Sequence, residues 1–165
     1  MADLKAMCEQ MNLKNVTTYI QSGNVIFSVD KSNPADISKK IESAIHKKFG
    51  MSIPVITRTI DEIRNAIKRN PYLAAKDKDL GNVYLTYLEF APGSNEIAAI
   101  RDYSAPPDDF LINGETVYIY CPGGYGNTKL NNNFFERKLK TRATTRNWKT
   151  SNELLNIATK IEELL

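Results

Sequence analysis

The sequence predicts an α+β fold of two similar halves, and three observations carry that expectation. Helical and strand-like patterns alternate along the whole chain, and each half runs through helix, hairpin, helix and strand in that order. A polar, mixed-charge stretch at 74–81 separates the halves. The length of 165 residues fits one domain or two small ones, on a prior of roughly 100–200 residues per domain. At 42% hydrophobic and 25% charged, the composition is that of a globular chain and excludes disorder or fibrous repeats.

The first half opens with Leu4, Met7, Cys8 and Met11 at i, i+3, i+4 and i+7, one face of an amphipathic helix. Val16–Gln21 and Asn24–Val29 are β-rich runs, and Ser22-Gly23 between them supplies the glycine that hairpin turns use. Asn33-Pro34 reads as a helix cap followed by proline at the first helical position. Ile37, Ile41, Ala44, Ile45 and Phe49 then keep to one face until Gly50 stops the helix. Ile53–Arg58 reads as a short strand. Thr59-Ile60-Asp61-Glu62 is a capping box, in which the threonine oxygen and the glutamate carboxylate take up free amides at a helix start. That helix is expected to end near Asn70-Pro71.

The second half begins with an alternating strand over Asn82–Glu89 and a short helix over Ser94–Arg101. Phe110–Ile112 and Glu115–Cys121 flank Asn113-Gly114, a strong two-residue hairpin signal. A glycine-rich loop, Pro122–Thr128, leads into a helix expected over 129–140, and Arg142–Trp148 reads as a short extended run. Thr150-Ser151-Asn152-Glu153 is a second capping box, opening a final helix to Leu165.

Strand, helix, hairpin, helix, strand is the split βαβ pattern of ferredoxin-like domains. The first half shows the same order without the front strand. In such a sheet that strand is central, so its absence leaves main-chain amides unpaired. The expectation is two ferredoxin-like subdomains, 1–75 and 76–165, the second carrying the C-terminal helix, in a native chain that begins upstream of Met1.

Several function classes fall away on composition. No run approaches the roughly 18 apolar residues of a membrane helix, and no basic-then-apolar leader opens the chain, so a cytoplasmic protein without membrane contact is expected. Cys8 and Cys121 lie far apart and His46 is the only histidine, so neither a metal set nor a bound cofactor is expected. His46 sits one position off the apolar stripe and reads as a solvated helix residue. Cys121, just before the glycine-rich loop, could hold a thiolate near backbone amides, but reads more simply as a small core residue.

Charge points to one region. The formal net charge is only +3, yet Gly123–Thr150 contains seven basic side chains against one acid, Glu136. Within it, Gly123, Gly124 and Gly126 allow the backbone to turn amides toward a ligand. Thr128 and a helix start would follow, and Lys129 would add a full charge. The Gly-Lys-Thr order of a Walker loop is missing. The simpler alternative is a hairpin exit whose path needs glycine. Alternation from Arg142 places Thr144, Arg146 and Trp148 on its face, a set that suits a phosphate and a stacked base, although Trp148 is expected to anchor the last helix. Gln21, Ser22 and Asn24 form a polar hairpin tip, of the kind turns select anyway.

Three stretches resemble one family: Thr18-Tyr19-Ile20-Gln21-Ser22-Gly23-Asn24-Val25-Ile26-Phe27, Thr128-Lys129-Leu130, and Ala143-Thr144-Thr145-Arg146-Asn147-Trp148. Together they are similar to the bacterial domain of unknown function 1697. The resemblance implies a bacterial cytosolic α+β protein of two subdomains, with a strand and a glycine-rich turn ahead of the segment that here starts at Met1. It implies no established activity. Three readings stay open: a binding module for a phosphate-bearing ligand or nucleic acid through Gly123, Gly124, Gly126, Thr128, Lys129, Arg142 and Arg146; an enzyme on a small phosphorylated or acidic metabolite, with Glu136 or Cys121 as the reactive group; and a protein-interaction module.

Overall fold

The computed structural model describes residues 1–165 and is a mixed α+β structure with six helices and two antiparallel sheets. Its contacts divide the chain into two compact units, Met1–Arg64 with Asn152–Leu165, and Asn65–Ser151. The first division falls within α3 (Ile60–Lys68) and the second within α6 (Trp148–Glu163). No helix is long and apolar enough to cross a membrane.

In the first unit, α1 (Ala2–Gln10) buries Met7 and Cys8, and α2 (Pro34–Phe49) buries Ile37, Ile41 and Ile45 against them. The ends of α2 follow its sequence. Asn33 Oδ1 accepts from the Ala35 amide at 2.9 Å, Pro34 opens the helix, and Gly50 closes it at φ +67° with its amide on the His46 carbonyl. The capping box of α3 forms as well, the Thr59 amide donating to Glu62 and the Glu62 amide to Thr59. Beside the helices, β1 (Lys14–Tyr19) and β2 (Asn24–Ser28) pair as a two-stranded antiparallel sheet.

Two expectations fail here for physical reasons. Ile53–Arg58 does not join a sheet, because α2 takes its amides: Val55 N donates to Glu42 Oε1 at 2.8 Å and Thr57 N to Ser38 Oγ at 3.1 Å. The hairpin turn is also longer than Ser22-Gly23. It spans residues 20–23, with Tyr19 and Asn24 as its closing pair. Ile20 sits there at φ +50° and 49% exposed, a left-handed conformation that a β-branched side chain resists. Releasing that strain with Ile20→Asn is expected to raise stability by about 1 kcal/mol, measured by urea unfolding.

The second unit carries β3 (Val83–Leu88), α4 (Ser94–Ile100), β4 (Asp109–Asn113), β5 (Thr116–Tyr120), α5 (Asn132–Leu139) and β6 (Ala143–Asn147). The strand order is β4-β5-β3-β6, antiparallel throughout. Alternation gives the sheet two faces. One bears Thr86, Leu88, Val117, Ile119 and Thr145, and its apolar members join Phe135 and Leu139 of α5 in the core. The other bears Leu85, Tyr87, Tyr118, Thr144 and Arg146.

Turn chemistry shifts three boundaries. The second hairpin turns on Gly114-Glu115, with Asn113 paired to Thr116, since Gly114 takes the positive φ (+60°) at the first turn position. Helix α5 starts at Asn132, because Asn131 Oδ1 caps the Phe134 amide at 3.0 Å. Helix α6 starts at Trp148, directly out of β6, because Asn147 rather than Thr150 supplies the cap, accepting from the Thr150 amide at 2.7 Å.

Buried tyrosines tie the second face to the chain over it. The Tyr118 hydroxyl donates to the Ala66 carbonyl at 2.6 Å and the Tyr87 hydroxyl to Ser151 Oγ at 2.9 Å. Burial, with Tyr87 nearby and Arg69 opposing, pushes the Tyr118 phenol up to about 12, and burial beside Asp109 raises Tyr72 as well. A phenol harder to ionise in the fold than in the open chain adds stability below pH about 10, lost as pH rises through its folded value. Tyr118→Phe is expected to cost about 1 kcal/mol at neutral pH and to soften the alkaline decline, read by urea unfolding across a pH series.

Candidate functional site

Five of the seven candidate residues stand together in the loop between β5 and α5. Its path is set by short internal bonds: Gly124 N donates to the Cys121 carbonyl at 3.0 Å, Asn127 N to Gly124 at 3.3 Å, and Thr128 N to Tyr125 at 3.3 Å. Gly124 needs its residue type, with φ +87°. Gly123 and Gly126 do not. Neither has a positive φ, and a Cβ built on either would meet nothing within 4 Å. The Thr128 hydroxyl is already engaged, donating to Asp108 Oδ2 at 2.6 Å and accepting the Leu130 amide. Lys129 is exposed.

The structure does not bring the remaining two candidates to this loop. Tyr125 fastens the loop to the Thr145 face of the sheet, its hydroxyl donating to Thr145 Oγ1 at 3.2 Å. Arg142 and Arg146 fall on the opposite face by alternation along β6. Arg142 is held by Glu89 through two bonds, at 2.9 and 2.6 Å. Arg146 Nη1 donates to Thr144 Oγ1 and the Thr145 carbonyl, and burial lowers its pKa, opposed by nearby Tyr87. Trp148 is half-buried at the head of α6.

Distant acids pair with two of the segment's seven basic side chains, Glu89 with Arg142 and Glu96 with Lys140 (3.7 Å), while Asp108 sits on the loop at Thr128. Lys129, Arg137, Lys138 and Lys149 remain exposed. The whole formal charge of +3 nevertheless resides in the second unit, since the first carries ten basic and ten acidic side chains.

Sequence reasoning missed the residues that anchor the loop. Thr145 Oγ1 shares a 2.7 Å bond with Thr86 Oγ1, receives Tyr125 and donates to Asn132 Oδ1 at 3.0 Å. Asn132 Nδ2 donates to the Ala143 carbonyl at 2.7 Å, and the Tyr84 and Tyr125 rings lie tilted against each other with centroids 5.1 Å apart. The period-two alternation of Ala143–Asn147 places Thr145 on the core face, away from the two arginines. Among possible reactive groups, Cys121 is fully buried and its thiol is pushed up by burial, opposed by Thr128 and reinforced by Asp108. Glu136 Oε1 accepts the Ala143 amide at 3.0 Å.

Two antiparallel α+β units with a glycine-rich loop fastened to a polar network describe the class. The chain belongs to the family described as protein of unknown function DUF1697, whose family model matches residues 1–118. That match takes in the Thr18–Phe27 motif and ends before Thr128-Lys129-Leu130 and Ala143–Trp148. A solved structure, that of conserved bacterial protein SP0830 from Streptococcus pneumoniae, shares the fold with a TM-score of 0.72 at 18% identity. The likeness covers 96% of this chain and 88% of that one. No curated protein matches the chain in sequence.

Because Thr145 serves three partners at once, Thr145→Val strands the hydroxyls of Thr86 and Tyr125 together. The expected cost is about 1–3 kcal/mol, measured by urea unfolding, with Thr145→Ser recovering most of it.

Proposed function

We propose that this chain is a binding protein for a phosphate-bearing ligand, held by the 123–128 loop and Lys129. The observation that carries the reading is glycine at 123 and 126 where neither conformation nor packing calls for it. A residue without a side chain at such a place serves close approach of something to the bare backbone. An anion is the fitting visitor, with exposed Lys129 adjacent and the unit's charge of +3 around it. The exposed basic residues Arg137, Lys138 and Lys149 suit further phosphates of a nucleotide or oligonucleotide. The second unit runs strand, helix, hairpin, helix, strand. Its element order and its β4-β5-β3-β6 sheet support a ferredoxin-like reading.

Thermal unfolding with pyrophosphate, nucleoside diphosphates and short oligonucleotides at low salt tests the proposal. A true ligand at 100 times its dissociation constant is expected to add about 2.7 kcal/mol. Paired Gly123→Ala and Gly126→Ala changes are expected to leave folding within about 1 kcal/mol of the parent. The same pair should abolish ligand stabilisation, and Lys129→Ala should weaken it roughly tenfold, the worth of one charged contact. No stabilisation by any of these ligands, or an unchanged response in the alanine pair, overturns the reading.

A further inference from the structure

A carboxylate stands beside the loop, where an anion alone has no use for one. Asp108 lies in the tight turn just before β4, its amide donating to the Ala105 carbonyl at 2.9 Å. Its side chain reaches the end of the glycine-rich loop, where Oδ2 accepts the Thr128 hydroxyl at 2.6 Å. Thr128 also accepts the Leu130 amide, so the hydroxyl is fixed and holds the carboxylate in one orientation. No lysine or arginine pairs with Asp108, and no donor meets its Oδ1, although exposed Lys129 is the residue next to Thr128.

Other acids of the second unit are answered. Glu89 is held by Arg142 and Glu96 by Lys140. Neighbouring Asp109 accepts the Phe110 amide on one oxygen and the Tyr72 hydroxyl on the other. Asp108 is half-buried with one oxygen unused, and a charge drawn partly out of water without a counter-charge is costly. A phosphate on the loop would add a second negative charge close by, and their repulsion would offset the pull of Lys129.

A divalent cation between the two removes the conflict. Magnesium is commonly held by one or two carboxylates together with phosphate oxygens and water. No three His, Cys, Asp or Glu side chains converge to hold a metal in this chain, so the ion has to arrive with the phosphate. With the 123–128 loop as the phosphate seat, the reading on which this rests, we infer that the ligand is taken as its magnesium complex, the ion bound by Asp108 Oδ1. The loop amides and Lys129 take the phosphate oxygens, and water fills the remaining positions of the ion. The ligand class narrows accordingly. Adjacent phosphates that chelate a divalent ion fit, as in pyrophosphate and nucleoside di- and triphosphates, whereas a single phosphate or a phosphodiester backbone does not.

Calorimetric titration of the full chain with pyrophosphate, once with a chelator and once with excess magnesium at matched ionic strength, is the test. Magnesium is expected to tighten binding by about tenfold or more, the worth of one charged contact. Magnesium alone is expected to give no saturable heat, and orthophosphate no such gain. In Asp108→Asn the carboxamide oxygen still accepts the Thr128 hydroxyl, so the fold is kept. That variant is expected to bind metal-free pyrophosphate at least as tightly as the parent and to lose the magnesium gain. Equal binding with and without magnesium leaves the phosphate seat standing and overturns the metal inference. So does a gain that persists in Asp108→Asn, or one that orthophosphate shares. Absence of binding under both conditions overturns the seat itself, and the inference with it.

Discussion

The second unit depends on a single hydroxyl. Thr145 lies on the inner face of an edge strand, and its oxygen meets Thr86 of β3, Tyr125 of the glycine-rich loop and Asn132 of α5. A half-buried hydroxyl must find partners, and here each partner belongs to a different element. Satisfying this one atom therefore fixes the distance from sheet to helix and the anchoring of the loop together. Asn132 then reaches the Ala143 carbonyl and Glu136 the Ala143 amide, so the same helix closes the outer edge of β6. The loop gains a fixed base, and glycines 123 and 126 stay open above it.

Much of the fold was legible where local chemistry decides the outcome. Asn33, Pro34 and Gly50 bound α2 because their preferences act over a few residues, and the Thr59–Glu62 box forms for the same reason. Boundaries slipped where neighbouring residues competed for one role. Asn147 and Thr150 could each cap α6, and Asn147 wins because β6 runs straight into the helix. Residues 53–58 have a strand's composition, yet their fate depends on Glu42 and Ser38 of α2, which no local pattern reveals.

The candidate site was legible as a segment but not as a cluster. Alternation correctly put Arg142 and Arg146 on one face, but the loop docks on the other. That choice is made by the Tyr125–Thr145 bond, between residues twenty apart. The concentration of basic residues overstated the local field for a similar reason. Glu89 and Glu96 lie far back in the sequence and arrive beside Arg142 and Lys140 only through the fold. What remains at the loop is smaller and better defined: two glycines without a structural duty, exposed Lys129 beside them, and a net charge confined to one unit.

The two units also differ in how they meet solvent. The first is electrically neutral, whereas the second carries the whole net charge of +3. Amide resonances of the 123–129 loop report directly on binding there. In a titration with pyrophosphate followed by two-dimensional nitrogen–proton spectra, the Gly123 and Gly126 amides are predicted to show the largest, saturable shifts, with Lys129 beside them. Shifts scattered over the exposed lysines without saturation, or none at the two glycines, would contradict the account.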